Sequence, residues 1–168
     1  MDFPGNKISL VLSKDQKKEV KTMLKAVQKI RVEWSHCDPA GIIFNPHYYI
    51  WMDQGTHRIF EAAGFDMPKE IGTNNFKGLP LVTSGATFIK PVRYGDTIEL
   101  FSTITKFGNK SFRMEHSFMF ENAEVANGFE VRVWGNDDGQ GGMVGAPFPE
   151  KIKRLFDREE TLDTTTMI

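Results

Sequence analysis

The stretch from Trp34 to Gly64 reads W-S-H-C-D-P-A-G-I-I-F-N-P-H-Y-Y-I-W-M-D-Q-G-T-H-R-I-F-E-A-A-G, and its reading decides the fold. It opens as the end of a strand, passes through the turn Asp38-Pro39-Ala40-Gly41, and enters a helix. Asn45 suits the N-cap, where a side-chain oxygen accepts an orphan N–H of the first turn. Pro46 follows at the first helical position, where a missing N–H costs nothing. Gly64 suits the left-handed position just past the helix end. Tyr48, Met52, Gly55, Ile59 and Ala62 recur at helical spacing. Ile50, Trp51, Phe60 and Ala63 make the other faces apolar as well, which points to a buried helix.

Asp38 therefore stands a few residues before the N-terminus of a buried helix. Such an end offers unpaired N–H groups and partial positive charge, so it can polarise a carbonyl or hold an anion. A carboxylate beside a carbonyl-polarising group is a reasonable acyl-transfer device. Asp before Pro-x-Gly is also ordinary turn chemistry, and the local residues alone do not choose between the two.

Working outward, residues 1–12 read as an irregular arm. Ser13-Lys14-Asp15-Gln16 is a capping-box pattern, and Val20, Met23, Leu24 and Val27 follow at helical spacing, so a short extra helix is expected there. From Val27 to Trp34, Ile30, Val32 and Trp34 alternate with charged residues as in a half-buried strand. Phe65–Gly78 reads as a long loop, a lid or pocket wall. Leu79–Lys90 reads as a strand with a bulge at Gly85. Thr97–Phe107, Lys110–Phe120 and Ala123–Trp134 read as three more strands, the first two joined by a Gly108-Asn109 turn. Gly135–Gly145 is glycine-rich and expected to be mobile. A short helix with Ile152, Leu155 and Phe156 on its apolar side is expected within Pro147–Arg158, and a frayed tail from Thr161. One strand, one long helix and then mostly hairpin-linked strands give an α+β fold, an antiparallel sheet with a helix across one face.

The 168 residues fit one globular unit: residues 1–26 an arm and short helix, 27–158 the main domain, 159–168 a tail. With 21 basic and 22 acidic residues, no charge excess calls for a nucleic-acid or membrane partner. Cys37 stands alone, so no internal disulfide forms. With no leader-like pattern and no long uncharged apolar run, a cytoplasmic location is expected.

The run D-P-A-G-I-I-F-N-P-H-Y-Y-I-W-M-D resembles the signature of the 4-hydroxybenzoyl-CoA thioesterase family, a branch of the hotdog-fold thioesterases. The likeness extends from about Val27 to about Asp157. It includes G-L-P-L-V-T-S-G-A-T-F-I-K-P-V-R-Y-G-D-T-I-E-L, K-S-F-R-M-E-H-S and E-V-R-V-W. It implies a hotdog fold, an antiparallel sheet wrapped around a long central helix. It also implies an acyl-CoA thioesterase that needs no cofactor beyond the CoA of its substrate. A homodimer or homotetramer is implied, with sites at the dimer interface.

Carried over residue by residue, Asp38 matches the family's catalytic carboxylate, as nucleophile or as general base. Asn45 lies where the family aims a backbone N–H at the thioester oxygen. Asp53 matches a helix carboxylate that contacts the acyl group in some relatives, and His57, one turn on, is its candidate partner. Lys110 and Ser111 match the K-S-F nucleotide contacts, with Arg113 nearby. The sequence departs from the pattern at Gly108-Asn109 and Gln140-Gly141-Gly142-Met143, where relatives carry arginines. Other cations, such as Lys106 or Arg93, or a different thioester carrier are then implied. Asp66-Met67-Pro68 stands where an aromatic wall is found in relatives. His36, Cys37, Asp38 and His47 match no zinc spacing, so no metal is expected. Hydrolysis of acyl-carrier-protein thioesters and a non-catalytic acyl-CoA-binding subunit are the rival readings.

Overall fold

The structure, a computed structural model, describes residues 23–165. In chain order these form β1 (Lys25–Arg31), α1 (Pro46–Ala62), α2 (Met67–Glu70), β2 (Phe76–Gly78) and β3 (Leu81–Phe88). Then come β4 (Thr97–Phe107), β5 (Ser111–Phe120), β6 (Ala123–Val133), β7 (Gly135–Asp137), β8 (Met143–Gly145), α3 (Glu150–Lys153) and β9 (Thr161–Asp163). The main sheet has the order β3-β6-β5-β4-β1-β9, antiparallel except for the β1–β9 pair. The strands β2, β7 and β8 make a second, small sheet.

Alternation puts one face of each long strand inward. Ile98, Leu100 and Ile104 of β4 are buried, as are Phe112, Met114 and Phe118 of β5. Against that face lies α1, which touches β1, β4, β5 and β6. Glycines set the spacing. A Cβ on Gly55 of α1 would strike Ser102 Oγ and lie 3.2 Å from Leu100 Cδ2, so the helix sits directly on the sheet. The core falls into two apolar clusters. Tyr48, Trp51 and Met52 at the start of α1 pack with Val92, Ile98, Leu100 and Phe118. Ile59 and Phe60 at its end pack with Phe65, Phe112, Trp134 and Phe156.

Helix α1 ends as its sequence implies. Gly64 takes φ +96°, and the N–H groups of Gly64 and Phe65 return to Glu61 O and Phe60 O. Several expectations are corrected. Met23 and Leu24 belong to no helix and Val27 lies in β1, because Leu24, Ala26 and Ile30 alternate inward as a strand; the rest of that expected helix falls outside the described residues. Trp34 is 74% exposed, since the chain leaves the strand for a 3-10 turn over Trp34–His36. The Phe65–Gly78 loop contains α2 and β2. The β3 irregularity lies between Leu81 and Thr83, and Gly85 instead makes room for the Phe129 ring. Gly135–Gly145 is a hairpin, β7 and β8, fastened by Lys77 Nζ to Gly141 O and Gly142 O, each at 2.7 Å. The expected frayed tail contributes β9, paired with β1.

Candidate active site

Asp38 sits in a turn fixed by its own backbone and side chain. Gly41 N–H donates to Asp38 O at 2.9 Å with Gly41 at φ +73°, and Ala40 N–H donates to Asp38 Oδ1 at 2.8 Å. One carboxylate oxygen is thus held. The turn is stitched on both sides: Phe44 N–H donates to His36 O at 2.8 Å, and Ile43 N–H to Val92 O at 2.9 Å. Upstream, His36 Nδ1 accepts the Glu33 N–H at 3.0 Å. The His36 ring packs against His47 and Trp51, centroids 4.8 and 5.3 Å away. The loop is therefore anchored to the first turn of α1.

The first turn differs from expectation in one respect. Asn45 is itself helical, φ −50° and ψ −33°, and its side chain makes no capping bond. The cause is local: Pro46 has no N–H, and backbone carbonyls already take the next two donors. His47 N–H goes to Phe44 O and Tyr48 N–H to Asn45 O, at 2.9 and 3.1 Å. Among the described residues no acceptor meets the Asn45 N–H.

Asp38 and Asn45 line one open cavity of about 410 Å³. Its other walls are Ile42, Ile43, Phe44 and Tyr48 from the loop and helix, and Phe88 to Val92 from the end of β3 onward. Of the lining residues, Asp38, Asn45, Tyr48 and Lys90 carry polar side-chain groups and the rest are apolar. A carboxylate and a free backbone donor facing an apolar cavity can hold a carbonyl and activate water beside it.

The other candidates lie elsewhere. Asp53 and His57 are half-exposed neighbours on α1, with His57 Nε2 3.8 Å from Asp53 Oδ1. Asp53 is bound more closely by Arg132 Nη2, at 2.5 Å. Lys110 and Ser111 lie at the start of β5, whereas Phe118 of β5 packs beneath Tyr48; seven strand steps separate them, roughly 24 Å. Arg113 is engaged by Glu115 Oε1 at 2.6 Å and stacks 4.0 Å over Phe129. Of the candidates, Asp38 and Asn45 alone line this cavity within one chain, and Asp53 with His57 forms a separate pair. Among the described residues no three His, Cys, Asp or Glu side chains converge as a metal-holding group.

Sequence reasoning missed a buried polar layer between the two apolar clusters. Arg132 donates to Glu130 through Nε and Nη2, at 3.0 and 2.9 Å, and to Leu79 O at 3.1 Å. Thr56 Oγ1 donates to Glu130 Oε2 at 2.5 Å, and His116 Nδ1 lies 2.9 Å from Ser102 Oγ. Burial alone would raise the Glu130 carboxyl, but the surrounding His116, Arg132 and Thr56 outweigh it and hold it at about 2. The available signal was position: Glu130 and Arg132 share strand parity with Gly128 and Trp134, all buried. It was hidden because Val131 and Val133 look like the inward residues of that strand.

The model of the thioesterase-like superfamily matches residues 32–156. A 4-hydroxybenzoyl-CoA thioesterase of Pseudomonas sp. (strain CBS-3) is 28% identical over 116 residues, 66% of this chain and 82% of that protein. The solved structure of 4-hydroxybenzoyl CoA thioesterase from that strain superposes with a TM-score of 0.72 at 26% identity, covering 78% of this chain and 98% of that one. A gentisyl-coenzyme A thioesterase structure gives 0.67 at 30% identity, covering 79% and 99%. The protein is a thioester hydrolase of hotdog fold. The chain belongs to the thioesterase-like superfamily.

Proposed function

We propose that this protein is an acyl-CoA thioesterase in which Asp38 and the Asn45 N–H act on one thioester carbonyl. The observation that carries the reading is that both line the same cavity at the helix mouth. In the hydrolytic route, Asp38 takes a proton from water as the water oxygen bonds to the carbonyl carbon. The carbonyl π pair moves onto oxygen, facing the Asn45 N–H. When that pair returns, the C–S bond breaks, and the CoA thiolate leaves and takes up the proton. The balance is R–CO–S–CoA plus water giving R–COOH plus HS–CoA, with no metal or redox group. If Asp38 instead attacks the carbonyl carbon, an acyl-Asp38 anhydride forms, and water then divides it into the same products.

The working unit is a homodimer joined through β3, whose outer edge has no strand neighbour among the described residues. That edge carries Leu81, Val82, Phe88 and Ile89, each about half-exposed or more. Edge pairing with a second copy removes a template for aggregation. In an antiparallel β3–β3 pair, the start of one strand meets the end of the other. The partner's Asp53, the partner's His57 and the partner's Lys110–Ser111 turn then approach this chain's cavity, the first two toward the acyl group and the last toward the nucleotide. Arg113 joins them only by leaving Glu115.

A carrier-protein thioester is the second reading. It is favoured by the lack of cations at Gly108-Asn109 and in the Gln140–Met143 turn, where Lys77 is spent on backbone carbonyls.

Release of free thiol from a panel of acyl-CoA and acyl-carrier-protein thioesters tests these readings. Asp38→Asn is expected to lower kcat about 10²–10⁴-fold with the fold intact. Full activity in that variant sinks the mechanism. Higher kcat/KM on the carrier-protein esters selects the second reading, and binding without turnover by the wild type shows a non-catalytic acyl-binding subunit.

A further inference from the structure

An oxyanion is best held by two donors aimed at where charge develops, in a site that excludes water. The helix mouth is short of them. Of the backbone positions from Asn45 to Tyr48, Pro46 has no N–H, and those of His47 and Tyr48 are spent on Phe44 O and Asn45 O. Only the Asn45 N–H is open. A second donor has to come from a side chain that faces the same cavity.

Tyr48 meets that requirement. It stands three residues after Asn45, on the same face of α1, and it lines the cavity with Asp38. Only 4% of its surface is exposed. Its ring is gripped by Phe118, Phe88 and Trp51, with centroids 5.0, 5.1 and 5.8 Å away. Yet its hydroxyl has no hydrogen-bond partner among the described residues. Nor is it one of the fully enclosed unpaired polar atoms, which are Gln28 Oε1, His116 Nε2 and Asn136 Oδ1. The hydroxyl is therefore not sealed from solvent, and Tyr48 is one of the residues that line the cavity. A buried tyrosine usually finds a partner for its O–H, so an unpaired one at the edge of a cavity is set for a ligand atom.

We infer that the Tyr48 hydroxyl is a catalytic hydrogen-bond donor to the thioester carbonyl oxygen, a second arm of the oxyanion site beside the Asn45 N–H. The inference rests on the thioesterase reading and adds a residue to it. The phenol keeps its proton throughout: it shortens its bond to the carbonyl oxygen as the π pair arrives and relaxes when the C–S bond breaks. Burial pushes the phenol up to about 12, so it remains a donor across the whole working range of pH. The three rings hold it without help from the hydroxyl, which leaves that group free for the substrate.

The test is steady-state kinetics of wild type and Tyr48→Phe on whichever thioester the wild type turns over. Loss of one oxyanion donor is expected to lower kcat about 10²-fold, with KM within about twofold. Thermal midpoint and urea midpoint should match the wild type, since the deleted hydroxyl has no protein partner. If the wild type turns over and Tyr48→Phe has unchanged kcat, the inference is overturned while the thioesterase reading stands. If the wild type turns over nothing, it is the underlying reading that falls. Should Tyr48→Phe lose both activity and stability, a ring-fluorinated tyrosine at position 48 decides. Its phenol ionises at lower pH, so a loss of kcat on the alkaline side that the wild type does not show within its working range should appear; its absence overturns the inference.

Discussion

Arg132 Nη2 lies 2.5 Å from Asp53 Oδ1, and this bond ties the last long strand of the main sheet to its central helix. Behind it Arg132 is held by both oxygens of Glu130 and by Leu79 O. Both Glu130 and Arg132 are almost completely buried, whereas Asp53 is half-exposed. The two ends of the chain should therefore answer differently to mutation. Arg132→Met strands the Glu130 charge in the core and is expected to cost about 3–5 kcal/mol in urea unfolding. Asp53→Asn loses an interaction open to water, and about 1 kcal/mol or less is expected. Equal losses would show that the burial difference does not govern the pair.

The same cluster fixes an acid response. Glu130 sits at about 2 when folded, against 4.5 for the free side chain. The unfolded chain then binds a proton between those values that the folded chain does not. Stability supplied by Glu130 is thus complete above pH 4.5 and lost as pH falls toward 2. Urea unfolding of wild type and Glu130→Gln across that window should converge at its acid end. A constant gap between the two proteins would place the titration elsewhere.

His36 gives a second response at milder pH. Burial, followed by the neighbouring His47, lowers its pKa from 6.5, with Glu33 opposing them. Its Nδ1 accepts the Glu33 N–H, so the neutral ring carries its proton on Nε2, and acid adds a second proton at the accepting atom. The folded chain binds fewer protons than the unfolded one just below pH 6.5, so stability falls as pH drops through 6.5 toward the lowered folded value. In His36→Asn the side-chain oxygen can still accept, but nothing titrates. Its thermal midpoint should be flatter than the wild type's between pH 7 and 5, and parallel curves would remove His36 from the acid response.

What could be read in advance follows from the range of the interactions. Pro46 and Gly64 bound the helix through local backbone chemistry, and both bounds could be read from a few neighbouring residues. Asp38 and Asn45 share a short segment, so their meeting at one cavity was legible in the motif. The Asn45 side chain reads as a cap from its residue type alone. Only the register of the His47 and Tyr48 bonds shows that no donor is left for it. The Gly135–Gly145 hairpin depends on Lys77, some sixty residues earlier, and on β2 within an apparent loop. The Glu130–Arg132–Asp53 chain spans strand and helix, and charged residues in an alternating strand read as outward-facing. In the last two cases the deciding partner lies far away in sequence.

The exposed edge of β3 supplies the last expectation. Val82 is 63% exposed and Phe88 nearly half on a strand that pairs only with β6 among the described residues, and Ile89 just beyond its end is nearly half-exposed too. Phe88 and Ile89 also wall the Asp38 cavity, so whatever covers this edge also shapes the site. Val82→Lys places a solvated charge on the edge, a device that blocks strand addition in natural sheets. Sedimentation should then report a monomer where the wild type gives a dimer or larger assembly. Thioester turnover should fall with it, because the cavity wall loses its backing and the residues that a second copy brings are withdrawn. Asp38 and the helix mouth lie apart from position 82, so the loss should return in part at high protein concentration. A monomeric variant with full kcat would show that one chain holds the complete site, and a wild type that is already monomeric would remove the β3 pairing altogether.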